Sequence, residues 1–363
     1  MTARRSAQSE TFSVRQCREI VDDLFEPSAT IYWTDFLCSV SLAWICFVGL
    51  RCSDSIAVQA ISYVGAVLLF YRAGSFIHEL VHLRRGTFQA FHVVWNLLCG
   101  IPLLMPSFMY TTHVGHHAKN HYATPEDGEY LPLAHGRMRG LWLYLAQAFF
   151  VPILMVIRFL ILTPIAWISP RARVWIQQRA SSLVMDPSYI RPLPSNRELR
   201  AWRLQEACVF LLVAFMAGRL FTGMMPPMFL VKLYLLSVGV LLINEVRTLG
   251  AHRFRFDGKH EVTFLEQLLD SVNYPARPWL GELWAPVGLR FHALHHLFPS
   301  MPYHRLAEAH RRLMAQLPAD SPYRRTVSSS LPAALSELVA EIRKKSSAPE
   351  AATSAHDVAP AGS

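Results

Sequence analysis

Thr112-His113-Val114-Gly115-His116-His117, echoed at Phe291-His292-Ala293-Leu294-His295-His296, is the pattern on which the reading of this chain turns. Each stretch puts three imidazoles at i, i+3 and i+4, positions that neighbour one another on a helix. The chain has 16 histidines in 363 residues. At that frequency one H-x-x-H-H match is expected by accident only ~0.03 times, so two matches make a specific signal. A third cluster, His78-Glu79-Leu80-Val81-His82, adds two more imidazoles at i and i+4.

Imidazole is a neutral nitrogen donor suited to iron, zinc, copper or nickel, so the donor type alone does not name the metal. The count says more. The eight residues His78, His82, His113, His116, His117, His292, His295 and His296 exceed what one four-coordinate ion takes up, and two metals fit them most simply. His252, just past the last apolar block, is a ninth candidate. His121 and His304 are candidates either as ligands or as supports for them, whereas His92, His135, His260, His310 and His356 read as surface or core residues. Residues 78–82 also fit H-E-x-x-H, in which two histidines hold zinc and the glutamate activates water. That intramembrane-protease reading leaves both H-x-x-H-H clusters without a role. On the metal-pair reading, Glu79 instead orients a ligand imidazole. Glu126, Asp127 and Glu129 follow the second cluster and either order imidazoles or form an ordinary acidic loop. Glu245, Arg247 and Asp270 read as partners in local ion pairs.

The rest of the sequence is a scaffold for these rings. The chain is 52% hydrophobic, and its apolar residues come in long blocks, which excludes an ordinary soluble enzyme. The net charge of +9 matches arginine-rich cytoplasmic loops and contact with anionic lipid. No nucleic-acid recognition module is legible. Six cysteines without a C-x-x-C pair read as free thiols. The polar, mixed-charge start is not a cleavable signal peptide, so insertion is expected to rely on the first internal span.

The expected fold is all-α and multi-pass, with four transmembrane helices in two hairpins plus interfacial helices and a cytosolic cap that carries the histidines. Residues 1–30 form a cytoplasmic N-terminal tail, 31–315 the membrane domain, and 316–363 a C-terminal helix and disordered tail. The spans fall at about 31–50, 56–74, 204–222 and 226–244. Residues 91–110, broken by Gly100, Pro102 and Pro106, must return to the side they left, because histidines lie both before and after them. Residues 141–168, broken by Pro152, Arg158 and Pro164, are expected to dip in and return or to lie along the interface. Seven arginines between Arg171 and Arg203 mark the following loop as cytoplasmic.

Taken together, H-x-x-x-H at 78–82 and H-x-x-H-H at 113–117 and 292–296 resemble the three histidine boxes of membrane fatty acid desaturases. His295-His296-Leu297-Phe298-Pro299-Ser300-Met301-Pro302-Tyr303-His304 is similar to the ending of the family's third box. The resemblance spans roughly residues 30–315. It implies four transmembrane helices and a cytosolic cap holding two iron ions, with the eight box histidines as ligands and His252 matching the extra histidine after the last span. In acyl-CoA desaturases an asparagine four residues before that histidine holds a metal-bound water. Here Thr248 takes that position, and Asn244 lies one turn earlier.

By the same resemblance, the activity is the dioxygen-dependent introduction of a double bond into a lipid acyl chain. Because no haem, flavin or nicotinamide module is legible, a separate electron-transfer protein, ferredoxin-like or a b-type cytochrome, is implied. A hydroxylase or ketolase acting on a lipid, alkane or carotenoid would use the same boxes. A non-catalytic membrane metal-binding protein is the alternative outside enzymology. The expected location is a bacterial inner membrane, with the histidine boxes on its cytoplasmic face.

Overall fold

The computed structural model describes residues 12–84, 86–258 and 261–346; part of the N-terminal tail, His260, His356 and the C-terminal tail lie outside them. The described residues are helical, with isolated β-bridges and no strand. A short amphipathic helix, α1 (Val14–Val21), comes first and buries Cys17 and Val21. Two long helices follow, α2 (Ala29–Cys52) and α3 (Ile56–His82). Residues 53–55 join them tightly enough to form the expected antiparallel hairpin. Next come α4 (Gln89–Trp95), running into a π turn (Asn96–Gly100), and the single-turn α5 (His113–His116). Then follow α6 (Met138–Ile168), α7 (Pro170–Arg179), α8 (Asn196–Phe221) and α9 (Pro227–Ala251). The chain finishes with α10 (Phe264–Asp270), α11 (Pro278–Trp284), α12 (His292–Leu297), α13 (Tyr303–Gln316) and α14 (Leu331–Ser346).

Five helices, α2, α3, α6, α8 and α9, are long and apolar enough to cross a membrane, one more than the four expected spans. In each, only 17–33% of the most apolar window is buried within the protein. Ile45 (65% exposed), Ile61 (75%) and Phe215 (62%) stand outward from them. Helices with so much apolar surface unburied are built for a lipid surround, and the chain is a multi-pass membrane protein.

Two expectations about these blocks need correction. Residues 141–168 do not dip and return; they lie on one continuous helix of 31 residues. Pro152 sits inside it, and a π turn at Arg158–Leu162 follows, so the irregularity is absorbed as a bulge rather than a reversal. Arg158 does not reach for water. Its guanidinium is 1% exposed, pairs with Glu206 of α8 and donates to the Ala180 carbonyl at 2.6 Å. Nor do α8 and α9 pack as a closed hairpin. α9 lies chiefly against α3 and α6, and α8 against the π turn of α6. α6 takes the room between them: the Phe149 carbonyl accepts from Tyr234 of α9, and Trp167 meets Phe210 of α8.

Lys232 Nζ donates to the Leu50 carbonyl at 2.9 Å, so the ends of α2 and α9 remote from the histidines lie together. At the other end the helices outlast the expected spans. α3 continues through His78 and His82, and α9 continues to Ala251, which puts His252 at its C-cap. The cap is stitched around Asn273, whose side chain accepts from Leu294 N at 3.1 Å and donates to Thr326 Oγ1 at 2.9 Å. Gly288, at φ +73°, leads the chain into α12; a Cβ there would come within 2.7 Å of Leu306 Cδ1. α14 buries Leu338 and Ile342 in a cluster with Tyr130, Ala134 and Leu141, which seats the C-terminal helix on the membrane domain.

Candidate metal centre

The nine candidate histidines meet in two groups. His78, His82, His113, His117 and His295 form one, and His116, His252, His292 and His296 the other; within each, one nitrogen per ring lies within 4.8 Å of every other. The i, i+3, i+4 spacing explains the division. In α5 the i and i+4 rings (His113, His117) go to the first group and the i+3 ring (His116) to the second. In α12 the assignment is reversed, with His292 and His296 in the second group and His295 in the first. The two motifs exchange one ring each, so the two centres must be adjacent. His117 and His296, one from each group, lie 4.3 Å apart between ring centroids.

The rings aim the same atom inward. In the first group, His117 Nε2 lies 3.1 Å from His113 Nε2 and 3.2 Å from His295 Nε2, which is 3.2 Å from His82 Nε2. In the second, His252 Nε2 lies 3.1 Å from His116 Nε2 and 2.8 Å from His292 Nε2, which is 3.1 Å from His296 Nε2. A neutral imidazole has one N–H, so such a ring of nitrogens cannot be satisfied by hydrogen bonds alone. His78 carries the point further: neither of its buried ring nitrogens has a partner. An ion about 2.1 Å from each nitrogen would space neighbouring donors by about 3 Å in a six-coordinate shell, so the residues fit a pair of metal ions.

Protonation agrees with this. Burial, and then the charge that neighbouring imidazoles would carry, holds His117, His252, His292, His295 and His296 well below the usual imidazole range and therefore neutral. His116 goes the other way. Burial, the largest single effect, would lower it, but the carboxylates of Asp127, Glu129 and Asp270, Asp127 foremost, together raise it.

The outward-facing nitrogens explain which tautomers are held. His113 Nδ1 donates to Glu129 at 2.7 Å, and His116 Nδ1 donates to Asp127 at 2.8 Å. Tyr122 donates its hydroxyl to Asp270 at 2.8 Å, so its oxygen is left to accept from His252 Nδ1 at 2.9 Å. Each arrangement puts the proton on Nδ1 and leaves the Nε2 lone pair facing the centre. His296 Nδ1 lies 3.1 Å from the Gln267 carboxamide.

Other expected positions fall elsewhere. Glu79 does not orient a ligand ring. Its carboxylate accepts from the Tyr32 hydroxyl at 2.6 Å and Tyr303 N at 2.9 Å, and is 3.9 Å from His78 Nδ1, too far for a hydrogen bond. Asn244 accepts from Arg247 at 3.0 Å and Thr248 donates to the Asn244 carbonyl, so both are bonded within α9. His121, half-buried, belongs to neither group. His304 accepts from Ser28 N, and His310 pairs with the Tyr323 hydroxyl. Glu126 bonds to Thr124 on the surface. Asp270 pairs with Tyr122 and Tyr130 rather than with an arginine side chain. Tyr122 and Gln267 escaped sequence reasoning because their partners are remote: Tyr122 is 130 residues from His252.

A multi-pass helical protein with two adjacent, buried imidazole groups at one end of its long helices has two places that could each hold a metal ion. The chain belongs to the fatty acid desaturase family, which it matches over residues 54–328. It is also 39% identical over 340 residues to a protein described as a ceramide hydroxylase from Caulobacter vibrioides (strain NA1000 / CB15N), covering 93% of this chain and 96% of that one. No solved structure matches the chain.

Proposed function

We propose that this protein is a diiron lipid hydroxylase of the membrane, acting on a ceramide-type lipid with dioxygen and electrons from a separate carrier protein. The observation that carries the reading is the meeting of nine histidines from four separate parts of the chain in two adjacent groups. The resemblance to the ceramide hydroxylase over nearly the whole of both chains favours this substrate and outcome. Desaturation of an acyl chain is the second reading, favoured by the family's description.

On this reading the nine histidines are the iron ligands. The iron pair supplies dioxygen activation and the attack on an unactivated C–H bond. The protein's part is to keep His117, His252, His292, His295 and His296 neutral, fix tautomers around the centre and exclude water. Burial does the first, since His292, His295 and His296 are 2–4% exposed. Asp127, Glu129 and the Tyr122–Asp270 pair do the second. The cap, closed around Asn273, does the third.

We place the histidine end at the cytoplasmic face of a bacterial inner membrane, on the strength of the arginine-rich segment 171–203. That segment belongs to the histidine end: Leu183 N bonds to the Met109 carbonyl, and Met185 N to Gly128. α6 then lies obliquely at the interface, making four full crossings the arrangement. In support, Gln147 donates to the Met185 carbonyl and Arg158 to that of Ala180, so α6 stays beside this segment over much of its length. The same arginines suit an acidic electron donor.

The test is purified, iron-loaded protein supplied with reductant, dioxygen and ceramide, with products read by mass spectrometry. Gain of one oxygen is expected, and it disappears in His296→Ala. Loss of two hydrogens instead would select the desaturase reading.

A further inference from the structure

Arg247 lies on α9 five residues before His252, and Tyr71 on α3 seven residues before His78. At 1.5 Å per residue these groups sit about 7–10 Å deeper along their helices than the imidazoles, towards the hydrocarbon. Both are buried, Arg247 at 8% exposure and Tyr71 at 3%. Arg247 donates to Asn244 Oδ1, and among the described residues it has no ion-pair partner. Its Nε is buried without an acceptor, and the Tyr71 hydroxyl, which the guanidinium faces, has no acceptor for its own proton; Tyr110 and Tyr144 lie near. Tyr110 in turn stacks on His113, with centroids 4.9 Å apart.

A guanidinium buried without a counter-ion is heavily penalised, and a buried hydroxyl without an acceptor adds to the penalty. Both lie on the hydrocarbon side of the metal groups, the side from which a lipid would present a C–H bond on the reading proposed above. A plain hydrocarbon chain would offer these donors nothing. An oxygen on the lipid would complete them. Glu245, also buried and with an unpartnered oxygen on the same stretch of α9, argues against an anionic headgroup at this depth.

We infer that Arg247 and Tyr71 form a hydrogen-bonding site for a neutral oxygen, hydroxyl or amide carbonyl, of the lipid substrate. The site fixes the reacting carbon a few bonds from that oxygen. The substrate is therefore a lipid with such an oxygen close to the reacting carbon, as in the ceramide-type lipid proposed above, rather than an unsubstituted acyl or alkyl chain. This rests on the lipid-oxidation reading above and adds to it a means of choosing the carbon.

The test measures binding separately from turnover. Iron-loaded wild type, Tyr71→Phe and Arg247→Lys, each checked for iron content, are titrated with dihydroceramide, with an analogue lacking the hydroxyls and with one lacking the amide. Wild type is expected to prefer the full lipid over one of the two analogues by about 10-fold or more, which identifies the oxygen that is held. Tyr71→Phe should lose much of that preference with its iron intact. In turnover, oxidation should spread to neighbouring carbons in the same variant. Equal binding of all three lipids by wild type, or unchanged selectivity in both variants, would overturn the inference. Selective binding without oxidation by wild type would leave this site standing and sink the enzymatic reading instead.

Discussion

Asp127→Asn is the substitution that asks most of this structure. The Asp127 carboxylate is 3% exposed and accepts four bonds: from His116 Nδ1 at 2.8 and 3.0 Å, from Ala123 N at 3.0 Å and from Glu129 N at 3.0 Å. Asparagine preserves the shape, and its one oxygen can still serve a backbone N–H, so the loop should fold. Its NH2, however, donates where the carboxylate accepted. The amide oxygen left beside His116 Nδ1 can still accept from it, but it is uncharged and must also serve a backbone N–H, so the Nδ1–H tautomer that keeps the Nε2 lone pair on the second centre is held less firmly. The Asp127 charge that raises His116 against the effect of burial goes as well. Loss of such an outer partner typically weakens metal binding 10–100-fold, about 1.4–2.7 kcal/mol. Metal analysis of the purified variant at limiting iron should show occupancy falling towards about one ion per chain, with lipid oxidation falling in proportion. Glu126→Gln, at a carboxylate bonded only to Thr124, is the control and should lose neither. If Asp127→Asn keeps both metals at wild-type affinity, the tautomer argument is wrong.

Three further outcomes follow from other contacts. His252→Ala should remove a metal whereas His121→Ala should not, because only the first ring faces a group; metal analysis decides. Arg158→Met should cost about 3–5 kcal/mol by leaving Glu206 buried and unpaired, and the double variant with Glu206→Leu should recover much of that in thermal unfolding. The metal-free protein should lose stability as pH falls below about 6.5. Unfolded imidazoles take up protons in that range, while the buried His117, His252, His292, His295 and His296, whose folded values are depressed, do not. A flat midpoint between pH 7 and 5 would contradict their burial as neutral rings.

What sequence alone could determine here was local and periodic. The spacing of His113, His116 and His117, repeated at His292, His295 and His296, is written within one helical turn, so the candidate donors were legible as a set too large for one four-coordinate ion. Apolar blocks long enough to span are equally local, and they placed α2, α3, α8 and α9 to within about a turn at their outer ends. The exchange of rings between the two groups was not legible, because it depends on how α5 and α12 face one another across 178 residues, from His117 to His295. The same holds for Glu79. H-E-x-x-H suggests a role beside the metal, yet Tyr32 and Tyr303, from opposite ends of the chain, turn the carboxylate away. Pro152 and Arg158 looked like breaks in a span; only packing supplied the π turn and the buried Glu206 that let one helix run through. A short motif fixes which donors are present, because its geometry closes within a few residues. Which nitrogen each ring offers, and to which centre, is set by partners such as Asp127, Tyr122 and Asp270, and those are brought to it only by the tertiary fold.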